Sequence, residues 1–137
     1  MIASFLIAVW IADGVLTRPA ILLAEKLVEM APRGLTRVFY SDSGSEANEI
    51  AMKMAVQYWI NRGVRGKSQL VAFKGGYHGD TTATMAICDP DAGMHALFRG
   101  LLPEHHVVDL PRDEESAAAF ARALERHADE LAGIVVE

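Results

Sequence analysis

The chain has 137 residues, a net charge of −5 at pH 7, and 51% hydrophobic against 23% charged residues. That length and composition predict one folded domain or part of a larger one, and they exclude an intrinsically disordered chain. An acidic chain without a basic cluster is a poor candidate for binding nucleic acid. The single cysteine, Cys88, excludes a disulfide scaffold and fits a reducing cytoplasm.

The first segment, residues 1–12, is strongly apolar. It is shorter than the roughly 20 residues that span a bilayer. No basic stretch precedes it, as a secretory signal would require, so we expect no membrane association. Two interpretations stay open: a buried strand or helix of the fold, and an artefact of where the chain begins.

The predicted elements alternate between helices and strands. In chain order they are a helix over 17–30, a strand over 36–40, a helix that follows a cap at Ser43 and runs to about 62, a strand over 69–73, a strand over 106–110, a helix over about 114–131 and a strand over 133–137. Apolar residues at helical spacing indicate the helices, and short β-branched or aromatic runs indicate the strands. Residues 81–87 fit a helix or an extended segment equally well. The alternation predicts an α/β fold with a mostly parallel sheet and flanking helices.

The turn over residues 41–46 is the best chemical candidate in the sequence. Ser43 and Glu46 have the spacing of a capping box, in which the two side chains satisfy free amides at a helix start. Small residues there let main-chain amides approach an anion, and the helix dipole favours negative charge. The hydroxyls of Ser43 and Ser45 can donate to phosphate oxygens. An ordinary capped helix is the alternative, and the Glu46 carboxylate weakly opposes anion binding.

A glycine-rich loop over residues 75–81 follows the predicted strand 69–73. Loops at that end of a strand bind ligands in α/β sheets. The loop places the Tyr77 ring beside His78 and the Asp80 carboxylate, and an exposed ring could stack on a flat heteroaromatic ligand. A glycine turn with a packed tyrosine is the alternative.

Other polar features are predicted to carry no chemistry. Residues 61–68 mimic a phosphate-binding P-loop, but they lie between a helix and a strand in the wrong order, which favours a helix end followed by a basic loop. The histidines show no metal-ligand spacing, and surface or packing roles are expected for them. They are His78, His95, His105, His106 and His127. A buried, inert thiol is expected for Cys88.

Three stretches together, residues 39–59, 75–81 and 89–98, resemble the class III aminotransferases of fold type I, which use pyridoxal 5'-phosphate (PLP). The strings KMAVQYW, GGYHGDT and DPDAGMHALF resemble more narrowly the biotin-pathway branch, the adenosylmethionine-8-amino-7-oxononanoate aminotransferases. The string SEANE over residues 45–49 is commoner in other class III members. The resemblance covers residues 19–137, which correspond to only part of a family member.

The resemblance assigns roles to individual residues. It implies cofactor binding by Gly44, Ser45 and Tyr77, and substrate binding by Tyr77 and Asp80. Gly44 and Ser45 match the family's phosphate-binding turn, which Ser43 would support. Tyr77 matches the aromatic residue that stacks on the cofactor ring. Glu137 matches a glutamate at the end of a strand near the site, and His78 belongs to the motif without a defined role.

The resemblance also implies a fold and a reaction. The fold would be part of the large domain of a fold type I PLP-dependent transferase over residues 19–137, after an atypical apolar segment over residues 1–18. The reaction would transfer an amino group from S-adenosylmethionine to 8-amino-7-oxononanoate in biotin biosynthesis. The full-length enzyme would be a cytoplasmic homodimer. The alternatives are another class III ω-aminotransferase and a non-catalytic chain that binds a phosphate-bearing ligand.

The family's lysine that forms the Schiff base, and its aspartate that pairs with the pyridine nitrogen, fall outside the matched stretches. The lysines present are Lys26, Lys53, Lys67 and Lys74, and none occupies the family's lysine context. We therefore expect no catalytic residue in this chain and no transamination by the chain alone. We also expect a truncated or misassembled reading of a longer gene.

Overall fold

The computed structural model describes residues 4–9, 17–91 and 94–137, with only the main chain described for 4–9 and Met94. Strand β1 is Ser4–Val9. A strand is one of the forms expected for residues 1–12. Residues 1–3 and 10–12, and the burial of the whole segment, lie outside the described residues, as do residues 13–16.

Two compact units divide the chain, Met1–Ala47 and Asn48–Glu137. In the first unit, β1 pairs in parallel with strand β2, Leu35–Ser41. Helix α1, Arg18–Met30, begins with Pro19 in its first turn, where the missing N–H costs nothing. The Tyr40 hydroxyl donates to the Ala20 carbonyl at 2.6 Å and so fastens β2 to α1. Both predicted elements are confirmed, with β2 one residue longer at each end.

Helix α2, Gly44–Asn61, is the longest helix among the described residues. Its start agrees with the predicted capping box, which places Ser43 just before the first helical residue, Gly44. Its C-terminal end agrees with the prediction: Gly63 follows with a φ of +76°, a left-handed conformation that glycine adopts without steric cost.

The second unit contains a three-stranded sheet. Strand β3, Gln69–Phe73, lies between β4, His106–Val108, and β5, Leu131–Ile134, and it is parallel to both. Every strand pairing among the described residues is parallel. The predicted α/β fold with a parallel sheet and flanking helices is therefore confirmed.

The core of the second unit forms around β3. Leu70, Val71 and Ala72 are all buried, because a central strand of a parallel sheet is covered on both faces. Met52 from α2 and Ile87 pack with Leu70 and Ala72 in one cluster. The apolar run that predicts β3 is thus also the centre of the core.

Two segments differ from the sequence prediction. Helix α4, Glu114–Arg126, is capped by Asp113, whose side chain accepts from the Ser116 amide, but the helix ends five residues before the predicted residue 131. Residues 127–130 form a turn closed by a bond from the Glu130 amide to the His127 carbonyl, 3.0 Å. Strand β5 therefore starts at Leu131, two residues earlier than predicted, and β4 is two residues shorter than predicted.

The ambiguous segment 81–87 contains a short helix, α3, Thr82–Ala86. A 3₁₀ helix, Met94–Phe98, was not predicted. No helix in the described part of the chain combines the length and the apolar character needed to cross a membrane.

Replacing Leu70 by alanine should destabilise the chain by about 2–5 kcal/mol, because Leu70 is 2% exposed and the change leaves a cavity beside β3. Leu101→Ala is the matched control, since Leu101 is 69% exposed. Urea unfolding followed by far-UV circular dichroism measures both. Equal midpoints for the two variants would contradict the described core.

Candidate active site

The turn before α2 has the predicted cap, with one difference. The Glu46 amide donates to Ser43 Oγ at 3.2 Å, as a capping box requires. The Glu46 carboxylate accepts from the Asp42 amide at 3.1 Å, one residue before the cap. Gly44 is exposed, and a Cβ atom placed on it would have no heavy atom within 4 Å. The turn therefore presents open space beside the first amides of a helix, where anions bind favourably.

The loop after β3 depends on two glycines. Gly75 has a φ of +84°, and its amide donates to Asp89 Oδ2 at 2.7 Å. A Cβ atom on Gly76 would lie 3.0 Å from His78 Nε2 and 3.1 Å from the Phe73 carbonyl oxygen. Both contacts are tighter than side chains normally allow, so any residue other than glycine at position 76 would force the loop or the His78 ring to shift.

His78 holds this loop in place through its buried side chain and its main-chain hydrogen bonds. Its side chain is buried, its amide donates to Cys88 Sγ at 3.2 Å, and its carbonyl accepts from Asn48 Nδ2 at 2.7 Å. Burial lowers the pKa of His78, and the Glu137 carboxylate partly opposes that shift. The imidazole is consequently a packing group in the neutral form at pH 7. Cys88 is buried, as expected from the sequence.

Tyr77 has a fixed main chain and an exposed ring. Its amide donates to Glu137 Oε2 at 2.8 Å, and its side chain is 57% exposed. The ring lies nearly parallel to the His95 ring, with centroids 6.2 Å apart and planes 23° from parallel. Hydrogen bonding to the Asp80 carboxylate raises the pKa of Tyr77. A tyrosine held in this way presents an oriented aromatic surface to solvent.

Asp80 and His95 form a pair beside that ring. His95 Nε2 lies 3.1 Å from Asp80 Oδ1; the histidine is buried, whereas the carboxylate is largely exposed. Hydrogen bonding to His95, and next to Tyr77, lowers the pKa of Asp80. The carboxylate therefore stays ionised well below pH 7, and its direction is set by a buried partner.

A cavity of about 370 Å³ opens at the carboxyl ends of the parallel strands. Its lining includes Gly75, Gly76 and His78 from the loop and Glu137 after β5. This is the end of a parallel sheet at which ligands bind in open α/β folds.

The structure brings together some of the predicted site residues. Tyr77, Asp80 and Glu137 are neighbours within the second unit. Gly44 and Ser45 belong to the first unit, where they form the turn described above.

Asn48 and Asp89 were not predicted as site residues from the sequence, and His95 was expected only in a surface or packing role. His95 and Asp89 lie inside the 89–98 stretch used for the resemblance, which was the one available signal.

The P-loop mimic at residues 61–68 has the ordinary role predicted for it. The Lys67 ammonium donates to the carbonyls of Ala128 and Leu131, the second at 3.4 Å, and lies 4.3 Å from the centroid of the Trp59 ring. A P-loop lysine must instead reach phosphate. Lys67 joins the loop to the turn before β5.

The model of the family named Aminotransferase class-III matches residues 5–137. The chain belongs to the class III aminotransferases. The match begins inside residues 1–18, the segment for which we expected an atypical apolar sequence. The narrower resemblance is also confirmed: similar curated proteins are named adenosylmethionine-8-amino-7-oxononanoate aminotransferase. One from Mycobacterium leprae is 47% identical over 127 residues, and one from Methanocaldococcus jannaschii is 49% identical over 84 residues.

Solved structures of this family have the same fold. The adenosylmethionine-8-amino-7-oxononanoate aminotransferase of Methanocaldococcus jannaschii matches 88% of this chain with a TM-score of 0.80 and 40% identity. A PLP-bound mutant aminotransferase from Vibrio fluvialis matches 90% of this chain with a TM-score of 0.71 and 29% identity.

The chain spans only part of these relatives. The alignment with the Mycobacterium leprae protein includes 90% of this chain but only 29% of that protein. The alignment with the curated Methanocaldococcus jannaschii protein includes 61% of this chain and 18% of that protein. The chain covers 27% of the Methanocaldococcus jannaschii structure and 30% of the Vibrio fluvialis structure. The fold is thus part of a PLP-dependent aminotransferase fold.

Replacing Asp80 by asparagine should lower the pKa of Tyr77, because the substitution removes the carboxylate that disfavours the phenolate. Asp91→Asn is the control, since the Asp91 carboxylate pairs with Arg99. Carbon-13 labelling of the tyrosine Cζ atoms and an NMR titration give the pKa of each tyrosine. An unchanged Tyr77 titration in the Asp80 variant would contradict the described contact.

Proposed function

We propose that this chain is the part of a biotin-pathway aminotransferase that holds PLP by its phosphate and its ring. The enzyme would transfer an amino group from S-adenosylmethionine to 8-amino-7-oxononanoate. The observation that carries the proposal is the arrangement of Tyr77: its ring is exposed, while its main-chain amide donates to the Glu137 carboxylate. Identity of 47% to a relative with that name supports the choice of substrates.

The residues of the turn before α2 fit a phosphate group. Gly44 adds no side chain at the helix start, and Ser45 beside it offers a hydroxyl donor. Main-chain amides and hydroxyls are the donors that bind phosphate at helix N-termini. The Glu46 carboxylate accepts from the Asp42 amide, which fixes the carboxylate on the residue before the cap. We assign the cofactor phosphate to Gly44 and Ser45.

The residues around Tyr77 fit the ring and a cationic amine. Bound PLP supplies the electron sink for the reaction, and the protein orients it and excludes competing reactions. The Tyr77 ring would stack on the pyridine ring. The ionised Asp80 would attract the amino group of the donor substrate, and His95 would hold that carboxylate in one direction.

None of the lysines present is placed as a reactive amine in this proposal. Lys26 pairs with Glu29 at 2.6 Å, Lys74 pairs with Asp109 at 3.3 Å, and Lys67 bonds main-chain carbonyls. Lys53 lies on α2, outside the family's lysine context. We infer that the 137-residue chain binds PLP without covalent attachment and does not transaminate alone.

Another ω-aminotransferase is the second candidate. An ω-transferase structure from Vibrio fluvialis matches with a TM-score of 0.74, but at 28% identity. The identities of 40% and 47% to the biotin-pathway proteins favour the first candidate. As part of the same proposal, residues 19–137 are a partial large domain, and the full-length enzyme is a cytoplasmic homodimer.

Ser45→Ala should weaken the binding of PLP by about tenfold or more, because a hydrogen bond to a charged phosphate contributes about 1.5–3 kcal/mol. Ser68→Ala is the matched control, since Ser68 is exposed and precedes β3. Equilibrium dialysis against PLP gives the dissociation constants. Equal affinity of the Ser45 variant and the wild-type chain would overturn the phosphate assignment.

Sodium borohydride treatment of the chain with one equivalent of PLP should label no lysine above the background of surface labelling, because none is placed as the reactive amine. Peptide mapping by mass spectrometry measures the modification. Bovine serum albumin, treated identically at the same PLP concentration, sets the background of surface labelling. A stoichiometric pyridoxyl group on a single lysine, together with turnover, would contradict the proposal.

A further inference from the structure

Two histidines and a glutamate meet at the amino-terminal end of the strands of the three-stranded sheet. His106 Nε2 lies 3.1 Å from Glu130 Oε1, and His127 Nδ1 lies 2.5 Å from the same oxygen. The two imidazole rings have centroids 4.3 Å apart. One ligand atom from each residue lies within 4.8 Å of the other two. Among the described residues, no other group of three histidine, cysteine or acidic side chains meets this distance.

The fold fixes this arrangement from separate places in the sequence. His106 begins β4, and its main chain pairs with Val71 of the central strand. His127 and Glu130 stand at the two ends of the turn between α4 and β5, closed by the bond between their own main chains. The parallel pairing of β4 and β5 with β3 therefore brings the three side chains to the amino-terminal end of the strands.

The donor set has the chemistry of a site for a borderline divalent cation. Two neutral imidazoles and one ionised carboxylate carry a net charge of −1, and these ligands suit Zn²⁺ better than Mg²⁺ or Ca²⁺. Ligand atoms of a tetrahedral Zn²⁺ site lie about 3.3 Å apart, because each lies roughly 2.0–2.2 Å from the metal. The separation of 3.1 Å already matches that value, whereas the contact between His127 and Glu130 must lengthen.

An ion could enter this site and keep a water ligand. The three side chains are partly exposed, between 29% and 44%. His106 and Glu130 also line a cavity of about 580 Å³, which has room for water beside them. A site with three protein ligands and one open position is a common arrangement for Zn²⁺.

We propose that His106, His127 and Glu130 bind one Zn²⁺ ion, with a water molecule from the adjoining cavity as the fourth ligand. On binding, the metal takes the place of the N–H proton that each neutral ring directs at the carboxylate, and each ring then carries its proton on its other nitrogen. The proposal stands independently of the proposed function, because its ligands lie at the amino-terminal end of the strands, whereas Tyr77 follows the carboxyl end of β3.

The test uses the untagged 137-residue chain with Zn²⁺ in competition with a chromophoric chelator. One equivalent should bind. His127→Ala and Glu130→Gln should each weaken binding by about tenfold or more, since even changes outside the direct ligands cost 10- to 100-fold. His105→Ala is the matched control: His105 neighbours His106 and lines the same cavity, but its Nδ1 lies 3.2 Å from Gln69 Oε1.

Two further measurements keep the test decisive if a variant folds poorly. Circular dichroism shows whether each variant keeps the wild-type helix content. Co²⁺ added to the wild-type chain should give the strong visible absorption of a four-coordinate site. No uptake of Zn²⁺ at micromolar concentration, a six-coordinate Co²⁺ spectrum, or an equal loss in the His105 variant would overturn the proposal.

Discussion

The closed form of the loop after β3 is the constraint on which the rest of the site depends. Its main chain is bonded by side chains from distant positions: Asn48 to the His78 carbonyl, Glu137 to the Tyr77 amide and Asp89 to the Gly75 amide. Net hydrogen bonds contribute only about 0.5–1.5 kcal/mol each, but together they leave a short glycine-rich segment few alternative shapes. The consequence is that the Tyr77 ring can be exposed and still oriented.

Beside that ring, burial and exposure are divided between two partners. His95 is buried and Asp80 is largely exposed, and their side chains meet at 3.1 Å. A buried imidazole that donates its ring N–H to the carboxylate limits the rotamers of that carboxylate, so that its negative charge has a fixed direction. For the proposed reaction this preorganisation matters more than the strength of the pair, because positioned charge is what a binding site contributes before substrate arrives.

The sequence predicts those elements whose determinants are local. The bounds of β3 are correct because an apolar run of that length is both the strand and the core, and α4 starts where its capping box lies. Contacts across long separations were not predictable: the Glu49 carboxylate accepts from the Ala83 amide 34 residues away and so supports α3. The histidine cluster was missed for the same reason, because metal-ligand spacing in sequence does not reveal residues joined by strand pairing.

The polar string at the start of α2 illustrates how a family motif can be explained by main-chain contacts. Glu46 accepts from the Asp42 amide, Asn48 donates to the His78 carbonyl, and Glu49 accepts from the Ala83 amide. Each of these side chains satisfies a main-chain group that helix formation alone leaves without a partner, which is the usual requirement for polar groups near a core. Ser45 lies in the same string, and in the proposed function its hydroxyl serves the cofactor. A substitution at Glu46, Asn48 or Glu49 therefore changes main-chain geometry, whereas a substitution at Ser45 changes phosphate binding. Measuring both stability and PLP affinity on the same variant separates the two effects.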